Sequence, residues 1–164
     1  MIKIRKVIAE DSDAIWEIFH LVVKNGDTYP FDPETGRDDF PHLWLATYMH
    51  TYVVERDGEI VGTYVLKPNM PGLGAHVANG SYMVHPSARG QGIGRAMCTH
   101  SLSEARALGF KAMQFNLVVS TNIAAVELWK TMGFWVVGTL PKAFKHRSLG
   151  YVDAYVMYQN LDAP

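Results

Sequence analysis

Residues 89–95 read Arg89-Gly90-Gln91-Gly92-Ile93-Gly94-Arg95, between a strand-like run at 80–84 and a helix-like run at 93–108. A strand that leads through a glycine-rich turn into a helix forms a cradle for anions, because the first amide hydrogens of a helix have no partner within it. Glycine has no Cβ, so the backbone can approach a phosphate closely. The stretch therefore predicts a phosphate or pyrophosphate held by main-chain groups of residues 89–95.

Two common nucleotide-binding patterns do not match this stretch. The dinucleotide pattern Gly-x-Gly-x-x-Gly, begun at Gly90, requires a glycine where Arg95 stands, and Glu104 lies too early to bind the ribose. A triphosphate loop requires Gly-Lys-Ser/Thr, which the chain lacks. What fits is Arg/Gln-x-x-Gly-x-Gly/Ala, which resembles the acetyl-CoA pyrophosphate loop of the GCN5-related N-acetyltransferases. The alternative is an ordinary glycine-rich turn before a helix.

A second segment, residues 122–134, carries the same resemblance. It has Asn122, Ala125, the pair Leu128-Trp129 and then Gly133-Phe134, in the order of the family's second cofactor segment. The gap between the two segments holds one helix and one strand, as the family requires. On these residues the chain is identified as a member of that family. The resemblance implies acetyl-CoA as cofactor and transfer of its acetyl group to an amine.

Length and composition limit the possible classes of function. The 164 residues suffice for one domain with a sizeable core, which predicts a single N-acetyltransferase domain over residues 1–164. The net charge of −1 gives no general attraction to nucleic acid or to membrane surfaces, and no run has the length of a membrane span. The single cysteine, Cys98, excludes an internal disulfide and favours a reducing compartment. We expect a cytoplasmic protein with no metal site, and a homodimer is left open.

Hydrophobic periodicity predicts an α/β fold with a mixed sheet of about seven strands and about four helices. Asp57-Gly58 between two apolar runs predicts a tight hairpin. A second helix is expected at about residues 42–49 and a loop at 141–150. The other elements are strands near 2–7, 76–84, 111–119, 134–139 and 151–158, and helices near 12–24, 93–108 and 122–132. The resemblance further implies a mostly antiparallel sheet with two splayed central strands.

The resemblance also implies which residues bind the cofactor. The pantetheine arm would lie between the splayed strands, held by the backbone of Met83, Val84, Leu117 and Val118. For Asn122 the alternative is a helix N-cap, and both roles are compatible. The expected cofactor-binding residues are Met83, Val84, Arg89, Gly90, Gln91, Gly92, Ile93, Gly94, Arg95, Leu117, Val118, Asn122, Ala125, Leu128 and Trp129.

The groups that move protons are less clear from the sequence. Trp129 stands where the family usually has a tyrosine that protonates the leaving thiolate, and an indole N–H is no practical proton source. The remaining candidate donors are Asn122, Tyr151 and Tyr155. His76 is the candidate base, because the unperturbed pKa of histidine lies near working pH. A lone histidine at a strand end is also typical of a structural or exposed residue.

A closer resemblance concerns the acceptor. The segments His76-Val77-Ala78-Asn79-Gly80, residues 115–122 and Gly150-Tyr151-Val152-Asp153 resemble fungal acetyltransferases of proline analogues such as azetidine-2-carboxylate. That resemblance implies that Asn79 and Asn116 handle the acceptor. Since both amides lie in apolar strands, each needs a partner, and a structural role is the alternative.

Aromatic residues of the first two helices and their joining loop complete the expected acceptor site. In this family these elements flank the acceptor, which makes Tyr29, Phe31 and Trp44 candidate lining residues; ordinary packing is the alternative for each. We therefore expect a small-molecule amine, an amino or imino acid, as acceptor. The alternatives are a non-catalytic acyl-CoA-binding module and an enzyme that acetylates protein N-termini or lysines.

Overall fold

Alternating apolar residues build two long neighbouring strands, β2 (His50–Arg56) and β3 (Glu59–Pro68), which pair antiparallel. The turn between them is Asp57-Gly58, with φ of 55° and 87°. A two-residue hairpin turn of this kind requires positive φ at both positions, which aspartate tolerates and glycine adopts freely. The predicted hairpin is confirmed.

The computed structural model describes residues 1–162, which form one seven-stranded sheet with helices on both faces. The strand order is β1-β2-β3-β4-β5-β7-β6, and every neighbouring pair is antiparallel except β4 with β5. The predicted α/β fold is confirmed. The remaining strands are β1 (Ile2–Lys6), β4 (Val77–Val84), β5 (Ala112–Val119), β6 (Trp135–His146) and β7 (Gly150–Asn160), and the helices are α1 (Ser12–Lys24), α2 (Phe40–Trp44), α3 (Ile93–Ala107) and α4 (Ile123–Thr131).

The two central strands separate along their length. β4 and β5 pair only at Val77 with Ala112, Ala78 with Met113 and Asn79 with Gln114. Beyond these pairs the strands diverge, and the pairing of β5 with β7 shifts register between residues 115 and 118. The expected splay is therefore present, and it leaves a gap between residues 80–84 and 115–119.

Two hydrophobic layers hold the helices against the sheet. The apolar stripe of α1, which includes Ile15 and Phe19, packs with α2 against one face. The other face is covered by α3 and α4, where Met97 and Cys98 are fully buried. Burial raises the pKa of the Cys98 thiol to about 12, so the thiol stays protonated and acts as a core side chain. No helix within residues 1–162 is long and apolar enough to cross a bilayer.

Two predicted element boundaries were wrong. The second helix spans Phe40–Trp44 rather than 42–49, because Pro41 suits its first turn and the Thr51 hydroxyl binds the Trp44 carbonyl as the helix ends. The expected loop at 141–150 belongs largely to β6, which continues to His146. Pro141 lacks an N–H, but β6 is an edge strand, so this position can face away from the sheet without a hydrogen bond. At the bulge beside it, Asp153 accepts the N–H of Lys142 (2.9 Å).

Candidate active site

A cavity of about 570 Å³ occupies the gap between β4 and β5. It runs from the start of α3 to the loop that follows α1. The lining comes from loop residues 27–31, from β4 residues 79–84 and from β5 residues 115–119. Lys67 of β3 and several residues of α3 and α4 complete it, and Arg89 and Gly94 mark one end.

The start of α3 presents free main-chain donors at this end of the cavity. The N–H of Ala96 bonds to the carbonyl of Gly92 (3.0 Å), and the amides that precede it have no partner within the helix. Gly90 and Gly92 have φ of 73° and 80°, and a Cβ built on either would meet nothing within 4 Å. The backbone is therefore open to an approaching anion, and the helix dipole favours negative charge there.

Side chains around this turn have distinct roles. Arg89 is exposed and lines the cavity. Gln91 braces the turn instead, since it donates to the Ser87 carbonyl (2.9 Å) and accepts from Arg56. Ile93 is buried in the core, so only its amide can serve a ligand, and Arg95 extends toward Met132. A cofactor phosphate would accordingly meet main-chain amides and Arg89.

The middle of the cavity is apolar. Met83, Val84, Leu117 and Val118 line it from the two diverging strands, as predicted for cofactor-binding positions. Ala125, Leu128 and Trp129 line it from α4. The indole of Trp129 packs against Tyr82 and Phe115, with ring centroids 4.9 and 5.0 Å away. Asn122 lines the cavity as well and caps α4 by accepting the N–H of Ala125 (3.3 Å), so the N-cap interpretation is confirmed.

The loop after α1 closes the other end of the cavity. The Tyr29 hydroxyl donates to the Tyr82 carbonyl (2.5 Å) and accepts the Tyr82 N–H (2.7 Å). Phe31 stacks on the Tyr29 ring, with centroids 6.1 Å apart. Burial raises the pKa of the Tyr29 phenol, so the hydroxyl remains protonated and serves as a fixed tie between loop and strand.

Asn79 and Asn116 both line this end of the cavity. Asn79 is 9% exposed, and its amide nitrogen donates to the Gln114 carbonyl (3.1 Å) where the two strands begin to part. Asn116 is exposed to the cavity and accepts from the Gln114 side chain (2.9 Å). Each amide thus has one structural bond and retains groups for a ligand. The side chain of Lys67, opposite Asn79 in the β3–β4 register, also lines the cavity.

Sequence reasoning missed two polar residues of this end, Asp27 and Thr28. Both line the cavity, and Asp27 Oδ1 and Thr28 Oγ1 are buried without a hydrogen-bond partner. They follow the helix predicted near residues 12–24, where polar residues are typical of any loop. The available signal was a carboxylate directly before the Tyr-Pro loop that the resemblance assigned to the acceptor site.

Three predicted site residues lie elsewhere. His76 is exposed just before β4, where its carbonyl accepts the Lys111 N–H, and it does not reach the cavity. Tyr151 is 65% exposed at the start of β7, and Tyr155 packs against the core away from the cavity. None of these three residues therefore lines the cavity.

Trp44 was also wrongly placed at the cavity surface. It is 1% exposed, and its indole N–H donates to the Thr63 hydroxyl (3.0 Å) beneath α1. Its ring meets Tyr29 edge-on at 6.2 Å. Trp44 thus packs against Tyr29, which lines the cavity. Within residues 1–162 there is also no cluster of three or more residues that could ligate a metal ion.

A family model described as the acetyltransferase (GNAT) family matches residues 13–134, which include the anion cradle, both splayed strands and α4. The chain belongs to this family. It is therefore an N-acetyltransferase with acetyl-CoA as cofactor. The main-chain donors at α3, Arg89 and the open strand gap fit such a cofactor, since they offer sites for its phosphates and its pantetheine arm.

Two curated proteins share sequence with this chain. N-acetyltransferase aca1 of Schizosaccharomyces pombe is 32% identical over 151 residues, which are 82% of this chain and 72% of that protein. Protein SPT10 of Saccharomyces cerevisiae is 33% identical over 128 residues, which are 70% of this chain but only 20% of that protein.

Solved structures share the whole fold. A GCN5-related N-acetyltransferase from Kribbella flavida has a TM-score of 0.92 and 42% identity, and the match covers 97% of each chain. A putative acetyltransferase from Salmonella typhimurium, solved with its cofactor acetyl-CoA, has a TM-score of 0.87 and 25% identity over all of this chain and 96% of that one.

Proposed function

We propose that this N-acetyltransferase acts on the amine of a small amino or imino acid. The observation that carries the proposal is the pair of hydrogen bonds between the Tyr29 hydroxyl and the Tyr82 backbone. They hold the loop at 27–31 against β4, so that the loop covers part of the cavity beyond the proposed cofactor site. A compact acceptor fits such a space better than a peptide, which needs an open groove.

The cofactor end would act mainly through main chain. Amides of α3 and the Arg89 guanidinium would bind the pyrophosphate, and the backbone of β4 and β5 would hold the pantetheine arm. When bound, acetyl-CoA supplies the thioester carbonyl that the amine attacks. The diverging strands would orient the bound thioester, and free backbone amides of β4 would donate hydrogen bonds to its carbonyl oxygen.

The acceptor end would orient the amine. Asn79 and Asn116 retain free amide groups next to the place where the acetyl group must lie, which supports their proposed contact with the acceptor. His76 has no part in this proposal because it lies outside the cavity. Trp129 would contribute shape and exclude water, since its indole N–H does not release a proton in the working range.

The names of the relatives support acetylation of amines but give no acceptor for this chain. The Schizosaccharomyces pombe relative is called an N-acetyltransferase without a substrate. A ribosomal-protein-alanine N-acetyltransferase from Brucella melitensis, at 26% identity, shares the fold with a TM-score of 0.86.

The decisive experiment is a screen of amines in which release of the CoA thiol is measured. The panel contains free amino acids, cyclic imino acids, polyamines, aminoglycosides and peptides with free N-termini. We expect turnover of amino or imino acids and little turnover of the other classes. Efficient acetylation of polyamines or peptides, with no activity on amino acids, would refute the proposal.

We also propose a homodimer and a cytoplasmic location. β6 is an edge strand of twelve residues that exposes Trp135, Val137 and Leu140, and an exposed edge strand can pair with its own copy about a two-fold axis. The molecular mass in solution, measured by light scattering, tests the dimer.

The proposed cytoplasmic location rests on the cofactor and on Cys98, which is a buried free cysteine.

A further inference from the structure

Two opposite charges line the acceptor end of the cavity, Asp27 on the loop and Lys67 on β3. Among the residues that the structure describes, neither takes part in an ion pair. Asp27 Oδ1 and the neighbouring Thr28 Oγ1 are buried and lack hydrogen-bond partners. Asp27 and Lys67 therefore place an unpaired carboxylate and an unpaired ammonium group on the lining of one cavity.

The loop around Asp27 and Thr28 is held on both sides. On one side the Gly26 carbonyl accepts the N–H of Arg147 (2.9 Å), and the Arg147 guanidinium donates to the Lys24 carbonyl (3.1 Å). On the other side Tyr29 is tied to β4. Since anchors flank the two residues, Asp27 belongs to a loop whose position is fixed on both sides.

Lys67 stands on the opposite wall beside Asn79. The two residues are direct partners in the antiparallel pairing of β3 with β4, and directly opposed residues project from the same face of a sheet. Both line the cavity, near the start of β4, whereas Arg89 follows the end of that strand. An ammonium group next to a carboxamide is a suitable site for a carboxylate.

We infer that the cavity binds its acceptor as a zwitterion, an inference that rests on the proposed function. The Asp27 carboxylate accepts hydrogen bonds from the protonated amine of the acceptor. Lys67, together with Asn79, donates to its α-carboxylate. An amino acid is favoured because each of its two charges meets an opposite charge of the lining. A polyamine is disfavoured because it would place a cation at Lys67, and a simple amine is disfavoured because it would leave Lys67 without a partner.

The test uses alanine, proline and azetidine-2-carboxylate, each with its amide and its decarboxylated amine. For the wild type we expect the free acids to have the highest kcat/KM within each trio. Lys67→Met should raise the KM of the free acid roughly 10- to 100-fold, as for loss of a charge-assisted bond, and leave the KM of the amide nearly unchanged. Asp27→Asn should raise the KM of all three forms about 10-fold or more, because each carries the cationic nitrogen.

A second readout does not depend on turnover. Binding of the same compounds to protein saturated with CoA, measured by calorimetry, should follow the same pattern of losses. Asp38→Asn and Lys3→Met alter one exposed carboxylate and one exposed ammonium away from the cavity, and they should leave both readouts unchanged. Unchanged acetyl-CoA affinity in every variant verifies that the cavity is still folded.

The two levels of the argument fail differently. One outcome is that the wild type acetylates amino acids, and that Lys67→Met and Asp27→Asn show the same KM values and the same ranking of acid, amide and decarboxylated amine as the wild type. Zwitterion recognition is then overturned, while the proposed function stands. If the wild type acetylates amines of other classes and no amino acid, the proposed function fails and this inference fails with it.

Discussion

The two ends of the cavity are built from different kinds of groups. The end that we propose for the cofactor consists mainly of main-chain amides at the start of α3 and of backbone from two diverging strands. The end that we propose for the acceptor consists of side chains from a loop and three strands, among them Asp27, Lys67, Asn79 and Asn116. A main-chain site depends on glycines at fixed spacing, whereas a side-chain site can change residue by residue. The first should therefore tolerate no added bulk, and the second should respond to single changes in a graded way.

The largest effect is expected where bulk enters the main-chain site. Gly92→Val adds a branched side chain at positive φ, and Gly94→Val adds methyl groups where even a Cβ would lie 3.2 Å from Leu128. Both variants should lose measurable acetyl-CoA binding by calorimetry. Gly109→Val, at the other end of α3 with φ of 87° and open space around it, is a matched control that should still bind. Unchanged affinity in both test variants would remove the cradle from the mechanism.

A graded effect is expected at the side-chain end. Loss of one hydrogen bond to the acceptor costs about 1–3 kcal/mol, so Asn79→Ala should lower kcat/KM for the acceptor by roughly one to two powers of ten. The affinity for acetyl-CoA, measured by calorimetry, should stay nearly constant. Since Asn79 also bonds to Gln114 where β4 and β5 part, equal losses for acceptor and cofactor would instead indicate a distorted strand gap.

Arg89 tests whether a side chain matters at the main-chain end. It adds one charge to a site that the amides of α3 already form, so Arg89→Ala should weaken acetyl-CoA binding by roughly 1–3 kcal/mol. The loss should shrink as salt is added, because Arg89 is exposed. Arg37→Ala, far from the cavity, should have no effect. Complete loss of binding would mean that the guanidinium, rather than the backbone, holds the phosphates.

The smallest effect is expected at Trp129, which lies between the two ends. Trp129→Phe should slow turnover modestly through lost packing against Tyr82 and Phe115, and the shape of the pH–rate profile should stay the same. Trp129→Tyr is the matched variant, since it introduces a hydroxyl into nearly the same space. Disappearance of the alkaline limb in Trp129→Phe would assign proton transfer to the indole and contradict this account.

The same division explains what the sequence could predict. The cradle and the positions of most strands and helices along the chain were predicted, because glycine spacing and hydrophobic periodicity report on backbone geometry directly. The splayed strands and the expected cofactor-binding residues came from the family resemblance. Asp27 was missed because a polar residue after a helix is typical of any loop, and only its two anchors make it part of a site. Trp44 was misplaced because the sequence does not show that its indole N–H bonds to the Thr63 hydroxyl. This bond holds the side chain in the core instead of at the cavity surface.

The candidate proton-transfer groups show why site residues were harder to predict than the fold. His76 was selected for its chemistry and its position before the cradle, yet the strand starts one residue later and leaves this side chain in solvent. Which titratable groups reach a cavity depends on the exact starts of strands and on loop anchors. Periodicity fixes neither of these to within one residue.

The bonds from Arg147 to the loop after α1 have a consequence for how the chain folds. They join residues 121 and 123 positions apart, so this loop can take its final form only after the β6–β7 hairpin has formed. Contacts of such long range are expected to form late in folding, because a large loop must close before they contribute stability. During synthesis, a growing chain that has already emerged as far as α4 would hold the complete cradle but not the anchored loop. Acetyl-CoA could then bind to a folding chain before any acceptor could, and the cofactor would stabilise the partly folded protein.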